Sequence, residues 1–356
     1  MNRLLYIEIL RFFSSIGVLI FHYPFFFPKQ ENQSSYELPF FNILEPIYYF
    51  GGSGVVVFWA ISGYVFYYIY NDNIINKNIS IKKFFINRFS RLYPLHFLTL
   101  IIVSILQIIH LKVFHEFHHD YLNDIYHFFL NLFFASFWGF EKFYSFNGPI
   151  WSVSVEILVY FMFFYSLFFF KKPFFIGLSI VFFSALIKIF SDTTYQLLNC
   201  LIFFFTGGLA FSVNKYLDIK NIKIFKNIFY YILLLILPYI FWTTKLYDIK
   251  YSVLIFFLTY SWLLLVGASI KININNRLKN MILIIGNLTY GTYLFHFPVA
   301  LFFKLVSNYF EIKMPIYSNY FFIFYLIFVL LLSFISFVKF EKPIQAFIRN
   351  KFRHIV

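Results

Sequence analysis

Arg11 and His22 stand eleven positions apart inside the first apolar run of the chain. At about 100° per residue, eleven steps make three turns plus roughly 20°, so both side chains leave one helix face about 16 Å apart. An imidazole titrates near neutrality and can take a proton from a hydroxyl, whereas a guanidinium fork suits phosphate. Ionisable groups inside a bilayer are costly, so each is a functional candidate. For Arg11 alone the competing reading is a side chain reaching back to the interface. The shared face favours a working pair.

Other candidates recur at helical spacing. In GPIWSVSVEILVY (148–160), Ser152, Glu156 and Tyr160 follow i, i+4, i+8 and share a face, with Trp151 at its start. Glu156 and His22 each lie about five residues in from the expected outer boundary, a depth of roughly 7 Å, so the two can meet. A buried carboxylate needs a partner, and an imidazole both satisfies it and gains basicity. In KKFFINRFSRLYPLH (82–96), Arg88 and Arg91 are neighbours on a helical turn expected to end before Pro94. Ordinary charge beside a membrane would explain them. However, the chain has 22 Lys and only 7 Arg, and three of the seven are Arg11, Arg88 and Arg91. That choice favours bidentate phosphate binding.

Weaker signals have plainer readings beside them. Gly51, Gly52 and Gly54 permit close approach of a backbone or ligand, and Ser62-Gly63 falls near mid-membrane, where small residues serve helix packing. His296 in NLTYGTYLFHFP is equally a substrate-binding group or a histidine bonded to a neighbouring helix. Glu341 is read as structural. The outer stretch with His110, His115, His118, His119, His127, Asp120 and Asp124 has no tight ligand spacing, so a solvated loop is preferred to a metal site.

The elements that must position these residues follow from composition. Hydrophobic residues make up 61% and charged residues 12% of the chain, which excludes an ordinary soluble domain. The 59 Phe and 29 Tyr, with abundant Ile, Asn and Lys, fit an AT-rich genome and carry no functional message by themselves. The single Cys200 allows no internal disulfide. Ten runs approach the roughly 20 residues a spanning helix needs: 4–27, 47–70, 93–110, 151–170, 174–190, 197–213, 228–244, 251–270, 281–303 and 320–340. The first has no small-residue cleavage site and is read as a retained helix. Stretch 128–140 is shorter and is expected at the interface or re-entering.

With both termini cytoplasmic, the inner segments hold 20 of the 29 basic residues, the outer segments 8, and helix 1 one. The net charge of +14 is therefore a topology signal, and nucleic-acid binding is excluded. The expectation is an all-α integral membrane protein: about ten transmembrane helices in one domain over 1–356, with no appended soluble domain.

In this order the segments resemble acyltransferase family 3, bacterial membrane O-acyltransferases that modify surface polysaccharides. The resemblance covers essentially the whole chain. Arg11 and His22 match an Arg, ten residues, His element. Gly51, Gly54, Val55, Ser62, Gly63 and Tyr64 match a Gly-x-x-Gly-Val and Ser-Gly-aromatic run. Arg88, Arg91 and Pro94 match Arg-x-x-Arg-x-x-Pro, while Trp151, Ser152, Ser154 and Glu156 match Trp-Ser-x-Ser-x-Glu. Tyr293, Leu294, His296 and Pro298 match Tyr-Leu-x-His-x-Pro, and Glu341 and Pro343 the terminal aromatic-Glu-x-Pro. Each is weak alone, but six in order are strong. Relatives with an eleventh helix and an external esterase-like domain differ from this chain, which implies a stand-alone transferase.

The resemblance implies a multi-pass protein of the bacterial cytoplasmic membrane with no permanent cofactor or metal. Its co-substrate would be acyl-CoA, most often acetyl-CoA, held inside by Arg11, Arg88 and Arg91. The separation of Arg11 from His22 is close to the reach of a phosphopantetheine arm. The acceptor would be a hydroxyl of a polysaccharide or lipid-linked glycan. His22 would act as general base or as an acylated nucleophile, with Glu156 orienting it. Ser62, Ser152 or Tyr160 would donate to the oxyanion, and Trp151 and His296 would touch substrate. The competing class is a transporter or flippase of a lipid-linked sugar, in which the same groups relay protons. Such folds show inverted repeats, and no internal symmetry is evident here. A glycan polymerase or ligase would carry a large late outer loop, whereas the longest outer stretch here is 111–150.

Overall fold

A computed structural model describes residues 5–27, 37–118, 121–191, 195–220, 228–249, 251–267 and 274–352. Among these residues the fold is all helical, without strands. The α-helices in chain order are α1 (Leu5–Phe26), α2 (Phe41–Phe50), α3 (Gly54–Ile75), α4 (Ile81–Phe114), α5 (Ile125–Leu132), α6 (Trp151–Phe170) and α7 (Pro173–Ser191). They continue with α8 (Gln196–Ile219), α9 (Ile228–Thr243), α10 (Ser252–Val266), α11 (Asn276–Tyr309), α12 (Asn319–Ser336) and α13 (Lys342–Lys351).

Among the described residues, eight helical stretches are long and apolar enough to cross a membrane. They are α1, α2 with α3, α4, α6, α7, α8, α11, and α12 continued into α13. The expected seventh and eighth spans form α9 and α10, of 16 and 15 residues. At 1.5 Å per residue, 15 residues rise about 22 Å, short of a hydrocarbon core of about 30 Å. The structure thus supports eight spans of the ten expected. Stretch 128–140 forms the end of the eight-residue α5 and a turn, too short to cross.

The chain divides into two compact units, each assembled from three separated segments. The first comprises Met1–Ser14, Ser53–Ile79 and Leu158–Gly286. Its centre is the crossing of α3 and α8, where the backbones touch. A Cβ on Gly63 would fall on the carbonyl oxygen of Phe204, and one on Gly207 on that of Ala60. Lipid tails are as apolar as the side chains, so association in a bilayer depends on such close packing. Phe66 then stacks on Tyr160 at 4.3 Å between ring centroids. Asn214 Nδ2 donates to Tyr64 Oη (2.9 Å) and to the Leu265 carbonyl (3.0 Å), fastening α8 to α3 and α10.

The second unit comprises Ser15–Gly52, Ser80–Ile157 and Asn287–Val356. Gly51 of the 3-10 turn Gly51–Ser53 has no room for a side chain against the Gly17 carbonyl of α1. Helix α4 starts where Ser80 Oγ accepts the Lys83 N–H (3.2 Å) and continues through Pro94, whereas an end before that proline was expected. Proline removes one i→i−4 bond, a loss that 34 residues of otherwise intact helix absorb. After α12, a π-helical turn (Phe337–Glu341) leads directly into α13, which packs along α4.

The loop after α4 folds back on that helix. His110 Nδ1–H donates to the Glu116 carbonyl (2.8 Å), and Gln107 exchanges two bonds with the His118 backbone. His119 and Asp120 lie outside the described residues. Helix α5 opens on an Asp124 cap that accepts the His127 N–H (2.8 Å). The Asn131 carbonyl accepts from His96 Nε2 (2.7 Å), which ties α5 to α4.

Candidate active site

The site of the second unit is organised by one stripe of α11: Tyr290, Tyr293 and His296, at i, i+3 and i+6. Pro298 lacks the N–H that would bond the Leu294 carbonyl four residues back. Asn147 Nδ2 takes its place, donating to that oxygen at 3.1 Å. Thus the proline of the Tyr-Leu-x-His-x-Pro element opens a place for the residue just before the Gly-Pro-x-Trp element. Tyr325 Oη of α12 donates to the His296 carbonyl (2.9 Å), securing the same turn from the other side.

His296 is fully buried. Its Nδ1 lies 2.5 Å from the Tyr293 carbonyl, so this nitrogen carries the hydrogen, and in the neutral ring Nε2 is an acceptor. His22 Nδ1 lies 3.3 Å from that Nε2 and is accordingly the donor. The Val18 carbonyl, one turn back on α1, also takes a hydrogen bond from the His22 ring, and with the hydrogen on Nδ1 the lone pair lies on Nε2. Phe26, one turn further along α1, stacks on the His22 ring (5.6 Å, 16°) and tilts against His296 (5.4 Å). The result is an imidazole of assigned tautomer held between a second imidazole and a phenyl ring.

His22 lines a cavity of about 330 Å³ whose walls also include Phe26, Tyr121, Tyr144 and Trp151, with Gly148 and Pro149. No ionised carboxylate, lysine or arginine is among its lining residues. Burial pushes the Tyr144 hydroxyl up, with Glu141 adding to the effect, and burial likewise raises Tyr121. Both are neutral hydroxyls at physiological pH. The cavity offers aromatic faces, a few hydroxyl donors and one imidazole base, a lining suited to a neutral polar ring. Below it, Tyr293 Oη donates to the Pro149 carbonyl (2.5 Å), and Ser152 Oγ lies 2.7 Å from Tyr293 Oη. Ser152 is therefore bonded into the wall of the site.

Glu156 is not the ring partner of His22. α6 runs opposite to α11, so Ser152 meets Tyr293 while Glu156, one turn on, acts electrostatically on Tyr290 as well as Tyr293. The sequence estimate gave Glu156 and His22 equal depth. It lacked the lateral packing that puts a second histidine in the intervening place. Tyr290 also feels Arg91 and Glu341, and its hydroxyl donates to the Leu92 carbonyl (2.8 Å). Glu341 accepts from Ser336 Oγ (3.3 Å) across the π-helical turn and interacts with Arg91. The stripe on α11 thus joins a charged end, Arg91–Glu341–Glu156, to the imidazole end.

Arg88 and Arg91 are half-buried on α4. Beside them Arg349 of α13 donates from Nε to Ser90 Oγ (3.1 Å) and from a terminal nitrogen to the Asn87 carbonyl (3.3 Å). The remaining candidates belong to the first unit. Arg11 makes a 3.5 Å ion pair with Glu8, and both side chains are largely buried. Ser62 is half-buried on α3 next to Gly63, and Tyr160 is buried in its stack with Phe66.

Sequence reasoning missed Asn147, Tyr325, Glu8 and Arg349. Two had a readable signal: Glu8 is i−3 from Arg11, and Arg349 is another of the few arginines. Asn147 and Tyr325 had none, because their partners are carbonyls of a distant helix.

Comparison with known proteins yields a single finding. The profile of a family described as an acyltransferase domain, the third of that name, matches residues 4–338, nearly the whole chain. No curated protein and no solved structure matches significantly.

Proposed function

Since the chain belongs to acyltransferase family 3, a family of membrane acyltransferases, we propose that it moves an acyl group, acetyl first, from acyl-CoA to a glycan hydroxyl. The acceptor is a polysaccharide or lipid-linked glycan on the outer face of a bacterial inner membrane. The observation that carries this reading is His22, its lone pair assigned to Nε2, in a cavity walled by Trp151, Tyr121 and Tyr144. Aromatic faces pack against the C–H faces of sugars, and Trp and Tyr add N–H and O–H donors.

In this reading the sugar hydroxyl gives its proton to His22 Nε2 as its oxygen attacks the thioester carbonyl. The tetrahedral intermediate collapses with cleavage of the C–S bond, and the CoA thiolate regains the proton from the imidazolium. The His22 Nδ1–H bond to His296 Nε2 strengthens when the ring becomes cationic, and this stabilises the charge that forms. His296 is thus a positioning residue. The Tyr121 and Tyr144 hydroxyls on the cavity wall are the candidate donors for a developing oxyanion, with Ser152 and Tyr293 bonded into the wall behind them. A route through acyl-His22 uses the same groups.

Arg88 and Arg91, with Arg349 beside them, supply guanidinium groups for the phosphates of the donor. The test is mass spectrometry of surface glycans from a deletion strain complemented with wild type or His22→Ala. Loss of one acyl mass per repeat in the deletion and in His22→Ala, at normal protein levels, is the expected result. Full acylation with His22→Ala would overturn the assignment.

A further inference from the structure

A second cavity, of about 680 Å³, lies against the first in the same unit. Both are lined by Phe26, whose ring stacks on His22, so a single aromatic side chain forms part of both walls. Apart from Phe27, the rest of the second lining comes from the end of α11 and the loop that follows it, within residues 303–318. Its chemistry differs from that of the His22 cavity. It contains Lys304 and Lys313 against one carboxylate, Glu311, with Ser307 and Asn308 as neutral hydrogen-bonding groups. Neither lysine forms an ion pair within 4.0 Å among the described residues, although Glu116 acts electrostatically on Lys304. Tyr317 Oη, also on this lining, is buried and lacks a hydrogen-bond partner among the described residues. Partial burial, with Glu37 nearby, pushes Tyr317 up, so it remains a neutral donor that a ligand oxygen can satisfy.

We propose that this cavity is a second acceptor subsite. It holds the sugar unit next to the one being acylated and recognises an anionic substituent, a carboxylate or a phosphate, through Lys304, Lys313 and the Tyr317 hydroxyl. The proposal rests on the acyl-transfer reading for the identity of the acceptor, and on the shared Phe26 wall for the adjacency of the two units. A free monosaccharide fills only the His22 cavity, whereas a chain of two or more units crosses Phe26 and gains the charged contacts. Substrate selection is thereby separated from chemistry: the base sits in an uncharged aromatic cavity, and the anion is read one unit away.

The test is equilibrium binding to the full chain in detergent micelles at low ionic strength. Three probes are used: tetragalacturonate, its neutral methyl ester, and a trisaccharide bearing one phosphate. At least one anionic probe is expected to bind about tenfold more tightly than the ester, and which one does so tells carboxylate from phosphate. In the Lys304→Gln/Lys313→Gln variant that preference should vanish while ester binding stays the same, and the Lys304→Arg/Lys313→Arg variant should keep it. Tyr317→Phe should weaken the anionic probe only. Equal binding of all three probes, or a preference that survives the double Gln variant, overturns the subsite. His22→Ala should lose acyl transfer yet keep the wild-type ratio of anionic to ester binding, whatever its absolute affinity. Binding can therefore fail or succeed independently of acyl transfer, so the two readings fall separately.

Discussion

His296 Nε2 stands 3.3 Å from His22 Nδ1, a contact that spans 274 residues of sequence. Because the Tyr293 carbonyl claims the hydrogen on His296 Nδ1, this one distance assigns the tautomer of both rings. His296→Phe keeps a flat ring among Phe26 and Phe297 but removes the acceptor. The expected outcome is a fall in kcat of roughly 10²-fold with the acceptor KM little changed. Steady-state kinetics in detergent measure both, and an unaltered kcat would show that the second imidazole is only packing.

The pairing of Asn147 with the carbonyl that Pro298 releases predicts non-additive stability. Asn147→Ala strands a buried oxygen and should cost about 1–3 kcal/mol. In a Pro298→Ala background the helix regains its own N–H donor for Leu294, so the same change should cost much less. A double-mutant cycle of reversible unfolding in micelles measures the coupling, and strict additivity would refute it.

Gly63 and Gly207 set the distance between α3 and α8. Gly63→Val should lower stability by about 1–3 kcal/mol or more, since the obstacle is backbone and cannot rotate away. Reduced yield and an earlier melting transition are the expected readouts, and the conservative Gly63→Ala should show a smaller form of the same defect.

If the proposed function holds, Arg88 and Arg91 grip the donor's phosphates, and Arg88→Lys and Arg91→Lys, which keep charge but lose the fork, should raise the KM for acyl-CoA about tenfold each. The acceptor KM should not move. Retained acyl-CoA affinity in both lysine variants would leave only a topological role for these charges.

Asp124 caps α5 from outside the membrane-spanning segments. Partial burial works against its ionisation, but bonds from the His127 N–H and ring outweigh that and hold the carboxyl below its ordinary value of 3.8. A depressed carboxyl contributes stability above the unfolded value and loses it as pH falls through the folded one. Asp124→Asn should therefore melt earlier than wild type at pH 7, and the difference should close below about pH 4. A gap that persists into acid would mean the charge is not what matters.

Within single helices the sequence was highly readable. The Ser152–Glu156 register and the small residues at Gly51 and Gly63 follow from helical period, and motif order pointed to the family that the profile match then showed. Lateral packing was not readable. α6 is apolar on nearly every side, so its pattern does not tell which face meets α11. This is why the sequence suggests Glu156 against His22, whereas in the structure it acts on Tyr290 and Tyr293. The continuation of α4 through Pro94 has a similar cause, since a local breaking tendency yielded to 34 residues of helix and to the packing of α13.

By itself, then, the sequence determined a membrane-embedded helical protein, the spacing of polar residues along single helices, and its family. These depend on composition and on periods along one helix. Only the tertiary structure decided that His22 answers to His296, that Asn147 fills the gap left by Pro298, and that Phe26 stands between a neutral cavity and a charged one. Those relationships join residues far apart along the chain through side-chain fit between helices, and the period of one helix carries no information about what lies against it.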